Sequence, residues 1–208
     1  CCDPRLLKGV EMAPHTERAK LAWLREQLPD LVAQGRRLLV FSQFTAMLDL
    51  VADELTELGL PHLRLTGATP AGQRGDIVAR FQAREVPLLL ASLKAGGVGL
   101  NLTAADTVIH LDPWWNPAVQ AQASARAHRI GQQQPVFVYQ LVAEGSIEER
   151  MLELQARKRA LADGLLGHDD GSSLGKFSVP ELHALLAPLG GEVDDAPGRL
   201  AVPGVDAG

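Results

Sequence analysis

The chain has 208 residues, 46% of them hydrophobic and 22% charged, and carries a formal net charge of −5. This is the composition of a globular protein with room for one domain and an appendage or for two small domains, which excludes wholesale disorder. No apolar run approaches the roughly 18 residues of a membrane span, no secretory pattern opens the sequence, and the only cysteines, Cys1 and Cys2, adjoin, excluding a disulfide scaffold or a cysteine zinc site.

Residues 1–15 read as an irregular segment punctuated by Pro4, Gly9 and Pro14. The opening Cys1-Cys2-Asp3-Pro4 lacks a Met and leads us to expect a piece of a longer protein, in a reducing, intracellular compartment. Thr16 is a candidate N-cap for a helix bearing Leu21, Leu24, Leu28 and Leu31, with Pro29 as a kink and Gly35 as the stop. Apolar runs then alternate with amphipathic stretches. The pattern predicts strands over 38–42, 62–66, 87–92, 107–111 and 136–142, and helices over 45–58, 73–81, 117–130 and 146–162. Pro117 suits a first helical turn and Ser146 suits a cap. Such alternation implies an α/β fold with a mostly parallel sheet and helices on both faces. Ligands of such sheets bind beyond the carboxyl ends of the strands, which points to the loops after Ser42, Thr66, Ser92 and Asp112.

The tail differs. Residues 163–208 hold 9 Gly and 4 Pro, and 8 acids against 2 bases, whereas 1–162 hold 18 bases against 17 acids. A linker over 163–177, a short helix near 178–187 and a disordered end over 190–208 are expected. A neutral body can carry a basic groove, so net charge does not exclude nucleic acid.

Two glycine stretches imitate nucleotide motifs without completing them. Gly175-Lys176 lacks the first P-loop glycine, and Gly97-Val98-Gly99 has leucine at 102 and no acid at the dinucleotide position. The loop from Ser92 to Asn101 still follows a buried strand, and its glycines Gly96, Gly97 and Gly99 let backbone approach a phosphate. A tight strand-to-helix connection is the other reading. In a helix over 117–130, Gln122, Arg126 and Arg129 share one face, suited to phosphate or to plain solvation. Trp114 and Trp115 adjoin at a strand end, which reads as a stacking or docking surface or as a hydrophobic plug. His110 reads as a core histidine, and no metal-binding spacing occurs.

Five stretches now fall in a telling order: Val40-Phe41-Ser42-Gln43-Phe44; Leu65-Thr66-Gly67-Ala68-Thr69 with Arg74 and Phe81 downstream; Ser92 to Leu102; Asp112 to Pro117; and Gln122 through Arg126 and Arg129 to Gln132. Together they resemble the second RecA-like lobe of a Swi/Snf-type, superfamily-two helicase-like, DNA-dependent ATPase. The resemblance implies a RecA-like α/β lobe over 16–145, a brace-like basic helix over 146–162 with Arg157, Lys158 and Arg159, and an acidic tail over 163–208. It implies a motor that hydrolyses ATP with magnesium between two lobes and moves along double-stranded DNA. The P-loop and the magnesium-binding acids would come from a first lobe, so this lobe alone would be inactive and bind no metal. Arg126 and Arg129 would be arginine fingers, an effect of about 10³ to 10⁵ in rate. Gln122, Gly97, Gly99 and Asn101 would serve nucleotide binding and coupling. Ser42, Gln43, Thr66, Gly67, Ser92 and Lys94 would touch the DNA backbone, and Trp114 and Trp115 would couple or dock. The implied partners are the N-terminal lobe of the same polypeptide, double-stranded DNA and a nucleoprotein or polymerase substrate, with no membrane. Ala125 stands where the family usually has an acid, so an ion pair that would orient Arg126 or a neighbouring group is missing. That departure keeps an alternative open, a non-catalytic DNA- or protein-docking module derived from such a lobe. The Arg- and Ala-rich, Lys-poor style suggests a bacterial, cytoplasmic, nucleoid-associated protein.

Overall fold

The structure, a computed structural model, describes residues 18–96, 100–127 and 135–165, with Pro180 and Leu200–Ala201, and the side chains of its last helix through Ala156. Five strands form one parallel sheet: β1 (Leu38–Ser42), β2 (His62–Leu65), β3 (Leu88–Ser92), β4 (Thr107–His110) and β5 (Phe137–Gln140). Their order is β2-β3-β1-β4-β5. Every strand predicted from an apolar run is in it, and the architecture is the RecA-like α/β fold.

The absence of alternation has a direct cause. Leu38, Val40, Leu88, Leu90 and Ile109 join Leu21, Leu24 and Leu28 of α1 (Ala19–Ala33) and Met47, Leu48, Val51 and Leu55 of α2 (Thr45–Glu57) in one core. Leu39, Phe41, Leu89, Ala91 and Val108 join Phe81 of α3 (Ala71–Gln82) and Ala123 of α5 (Pro117–Ser124) in the other. Successive strand residues point to opposite faces, so burial on both requires an unbroken apolar run. Each buried leucine contributes about 2 kcal/mol. That packing carries α1 straight through Pro29, which costs one backbone hydrogen bond but ends nothing. Gly59, at φ +66°, turns the chain out of α2 in a conformation that suits glycine.

Several boundaries differ from the prediction. α1 begins at Ala19 with Arg18 in the capping position; Thr16 lies outside the described residues. β3 runs directly into a single helical turn, α4 (Leu93–Gly96). α5 starts at Pro117 behind the Asn116 cap, as expected, but stops at Ser124. The predicted helix to 130 is not formed over 125–127, which turn instead. There Arg126 N donates to Ala123 O and Ala127 N to Ser124 O, a tightened three-residue pattern, while Leu102 N captures Arg126 O at 3.1 Å. Residues 128–134 lie outside the described residues.

β6 (Val142–Ala143) pairs antiparallel with β7 (Leu200–Ala201), so the segment expected to be disordered supplies a short strand. α6 (Ile147–Leu165) follows a capped turn: Ser146 Oγ accepts from Glu148 N at 3.1 Å, and Glu149 accepts from Gly145 N at 2.8 Å. The linker and the helix expected near 178–187 lie outside the described residues, Pro180 excepted. Among the described residues no helix is long and apolar enough to cross a membrane.

Candidate functional site

The parallel register aligns the carboxyl ends of the strands. Ser42 pairs with Ser92 across β1 and β3, and Leu65 of β2 pairs with Ala91, so three hydroxyls, Ser42, Ser92 and Thr66, line adjacent strand ends. All three are buried. Ser42 Oγ donates to Asp112 Oδ1 at 2.5 Å and accepts from Phe44 N at 3.0 Å, while Gln43 N donates to Asp112 Oδ2 at 2.9 Å. Ser92 Oγ accepts from Ala95 N at 3.2 Å at the start of α4. Thr66 N donates to Thr69 Oγ1 at 3.0 Å, and Arg74 ties the same loop through Thr69 O and Gly67 O. These groups shape loops. The expected DNA-touching set therefore divides: Gly67 and Lys94 are exposed and Gln43 is half-buried, whereas Ser42, Thr66 and Ser92 turn inward.

Asp112 is the buried centre of this edge. Burial pushes its carboxyl above the ordinary carboxylate range, while the bonds from Ser42 and Gln43 pull the other way. His110, the last residue of β4, is also fully buried and stacks on Phe41 at 5.5 Å. Its Nε2 meets Ser124 Oγ at 2.8 Å, and burial holds the imidazole down to about 4. It is a core histidine, as its sequence setting indicated, and it pins the end of α5.

Gln122 and Arg126 do not share an exposed helical face. Gln122 is exposed on α5, but Arg126 lies in the turn beyond and is only 2% exposed. Its Nη1 donates to Leu100 O at 3.4 Å, so the arginine turn rests on the exit of the glycine-rich stretch. Ala125 is exposed and Asn101 is exposed. Arg129, Gly97 and Gly99 lie outside the described residues. Trp114 and Trp115 divide as well: Trp114 is half-buried, and Trp115 is 41% exposed beside it at 6.0 Å between ring centroids.

A further buried device was missed in the sequence. Lys20 of α1, 2% exposed, donates to Leu111 O at 2.6 Å and to Glu148 Oε2 of α6 at 2.5 Å. The signal was present, since Lys20 stands four residues before Leu24 and eight before Leu28 on the apolar stripe. A lysine there has to find a buried acceptor.

The helicase conserved C-terminal domain model matches residues 19–131. The chromatin-remodeling ATPase INO80 of Cryptococcus neoformans is 44% identical over 163 residues, covering 78% of this chain and 9% of that protein. INO80 of Aspergillus oryzae is 49% identical over 147 residues, covering 70% of this chain and 10% of that protein. The solved Sulfolobus solfataricus SWI2/SNF2 ATPase C-terminal domain superposes with a TM-score of 0.62 at 32% identity, covering 88% of this chain and 75% of that one. The chain thus spans about a tenth of the length of the curated relatives it matches. These relatives are fungal chromatin remodellers by name, which overturns the expectation of a bacterial, cytoplasmic, nucleoid-associated protein. Arginine and lysine both carry one positive charge at neutral pH, so preferring one over the other holds no information on compartment. The family model spans more than half of the chain, its motif loops gather on one edge of a RecA-like sheet, and the chain belongs to the helicase conserved C-terminal domain family, in its Swi/Snf-type branch.

Proposed function

We propose that the chain is the second motor lobe of an ATP-dependent double-stranded DNA translocase that remodels nucleoprotein. One observation carries this reading: the loops after β1, β2, β3 and β4 share the carboxyl edge of one parallel sheet, and Arg126 reaches Leu100 O at the exit of the glycine-rich stretch that follows β3. Such an edge can read two things at once, a phosphate chain outside and a nucleotide held by a facing lobe.

On this reading Gln43, Gly67 and Lys94 contact the DNA backbone, and the inward hydroxyls of Ser42 and Ser92, with the Thr69 hydroxyl that accepts from Thr66 N, hold those loops in shape. Backbone contacts of this kind carry no base information and weaken with salt. Arg126 and Arg129 supply guanidinium charge toward the γ-phosphate. Arg126 also links the arginine turn to Leu100, and through it to the glycine-rich stretch with Gly97, Gly99 and Asn101. Motion of either segment is then felt by the other. ATP with magnesium supplies the phosphoryl group and its neutralising metal, whose ligands belong to the N-terminal lobe with the P-loop. Gln122, exposed on α5, faces that lobe.

The test is ATP hydrolysis by the two-lobed polypeptide with and without double-stranded DNA, beside this chain alone. DNA-stimulated turnover in the first and silence in the second is the expected result. Robust hydrolysis by this chain alone would contradict the split site. Silence in both would favour a docking module, with Ala125 as the first residue to replace by an acid.

A further inference from the structure

α6 reaches the chain that follows β4 at two points on one face, once through Lys20 and once directly. Near its start, Glu148 holds Lys20, which in turn donates to Leu111 O. Seven residues on, two helical turns away, Gln155 Nε2 donates to Trp114 O at 2.8 Å and to Trp115 O at 3.1 Å. At the two ends of this loop Asp112 is held by Ser42 and Gln43, and Asn116 caps α5. Trp114 N donates to Gln120 Oε1 at 3.1 Å, and the buried Trp114 indole N–H has no acceptor among the described residues. The backbone carbonyls are therefore the handle by which α6 holds the aromatic pair.

The chemistry is selective. A primary amide presents two N–H donors on one nitrogen, so one side chain satisfies two successive carbonyls. An ammonium can do the same. A carboxylate of the same shape cannot, and it sets a negative charge against two oxygen dipoles.

We infer that Gln155 is a positioning residue: its amide fastens the 112–117 loop to α6 and fixes the presentation of Trp115 at the carboxyl edge. The anchor stands on geometry alone; its consequence for DNA rests on the motor reading above. Through it, movement of α6 relative to the sheet changes the pose of Trp115 without touching the nucleotide site.

The test uses the full chain labelled with 5-fluorotryptophan, the Trp115 resonance being assigned by Trp115→Phe. Gln155→Glu should shift and broaden that resonance, and Gln155→Lys should restore it, with circular dichroism showing both variants folded and the thermal midpoint of Gln155→Lys that of the wild type. In the two-lobed protein, Gln155→Glu should raise the DNA concentration for half-maximal ATPase stimulation about tenfold, the size expected from losing a pair of ordinary hydrogen bonds. Turnover at saturating DNA should stay within about twofold, and Gln155→Lys should behave as wild type, as a donor-restoring change would. A Trp115 resonance unmoved by Gln155→Glu would overturn the anchor. Equal perturbation by Gln155→Lys would overturn it too, since packing rather than donation would then matter. If the wild-type two-lobed protein shows no DNA-stimulated turnover, the motor reading fails and the fluorine spectra alone decide the anchor.

Discussion

Ser42 shows how a residue at the carboxyl edge of the sheet can act from behind it. Its hydroxyl bridges Asp112 and Phe44 N, and Gln43 N completes the hold on the same carboxylate. Ser42→Ala leaves Asp112 short of one donor in a buried setting, and we expect a loss of about 1–3 kcal/mol in denaturant unfolding. An unchanged midpoint would show that Asp112 finds another donor. His110 makes a second prediction, in pH. The unfolded imidazole titrates near its ordinary 6.5, whereas burial holds the folded one to about 4. Between those values the unfolded chain takes up a proton that the fold refuses. Stability is therefore complete above about pH 6.5 and falls by up to about 3 kcal/mol as pH drops toward 4. Asp112 works in the opposite sense, because its raised carboxyl accepts a proton more readily in the fold than outside it. His110→Asn should remove the loss between pH 6.5 and 4, and parallel pH profiles of variant and wild type would refute the assignment.

Between elements, the decisive contact is Lys20 to Glu148, which ties α1 to α6 and to the end of β4. A buried pair adds little over a well-packed apolar pair, but breaking one side strands the other charge. Lys20→Met should therefore cost about 3–5 kcal/mol in urea unfolding. The double change Lys20→Met with Glu148→Leu should recover most of that loss. A double variant as unstable as the single one would show that Lys20 matters through Leu111 O rather than through the charge pair. The exposed pairs, such as Arg80 with Glu85, are half in solvent on both sides and merit no such forecast.

For the whole molecule, burial changes how the arginines have to be tested. Arg126 is 2% exposed, so Arg126→Ala empties a packed site and confounds turnover with folding. Arg126→Lys keeps the charge and loses the guanidinium fork. In the two-lobed protein we expect Arg126→Lys and Arg129→Lys each to reduce DNA-stimulated turnover by about 10² or more, within the range for lost fingers, while circular dichroism and thermal midpoints hold. Normal turnover in both would remove the finger role. DNA stimulation should also fall steeply with salt, as a backbone-reading edge requires.

How far the sequence reached depended on the range of the interactions involved. The strands at 38–42, 88–92 and 107–110 were legible because burial on two faces writes itself into consecutive apolar residues, and Pro117 after Asn116 announces a helix start through local capping chemistry. The five ordered motifs carried the family for the same reason, each being a short stretch read in one pass. Local pattern could not say where α5 stops, because Leu102 N, from another loop, captures Arg126 O and turns the chain. Nor could it divide the edge into outward Lys94 and Trp115 and inward Ser42 and Arg126, since helical or strand spacing is blind to what packs across the sheet. The partnership of Lys20 with Glu148, and of Gln155 with the carbonyls of Trp114 and Trp115, joins residues far apart in the chain. Periodicity tells a residue which way to face; only the closed tertiary fold decides which buried polar groups meet there, because each has to find its partner once water is gone.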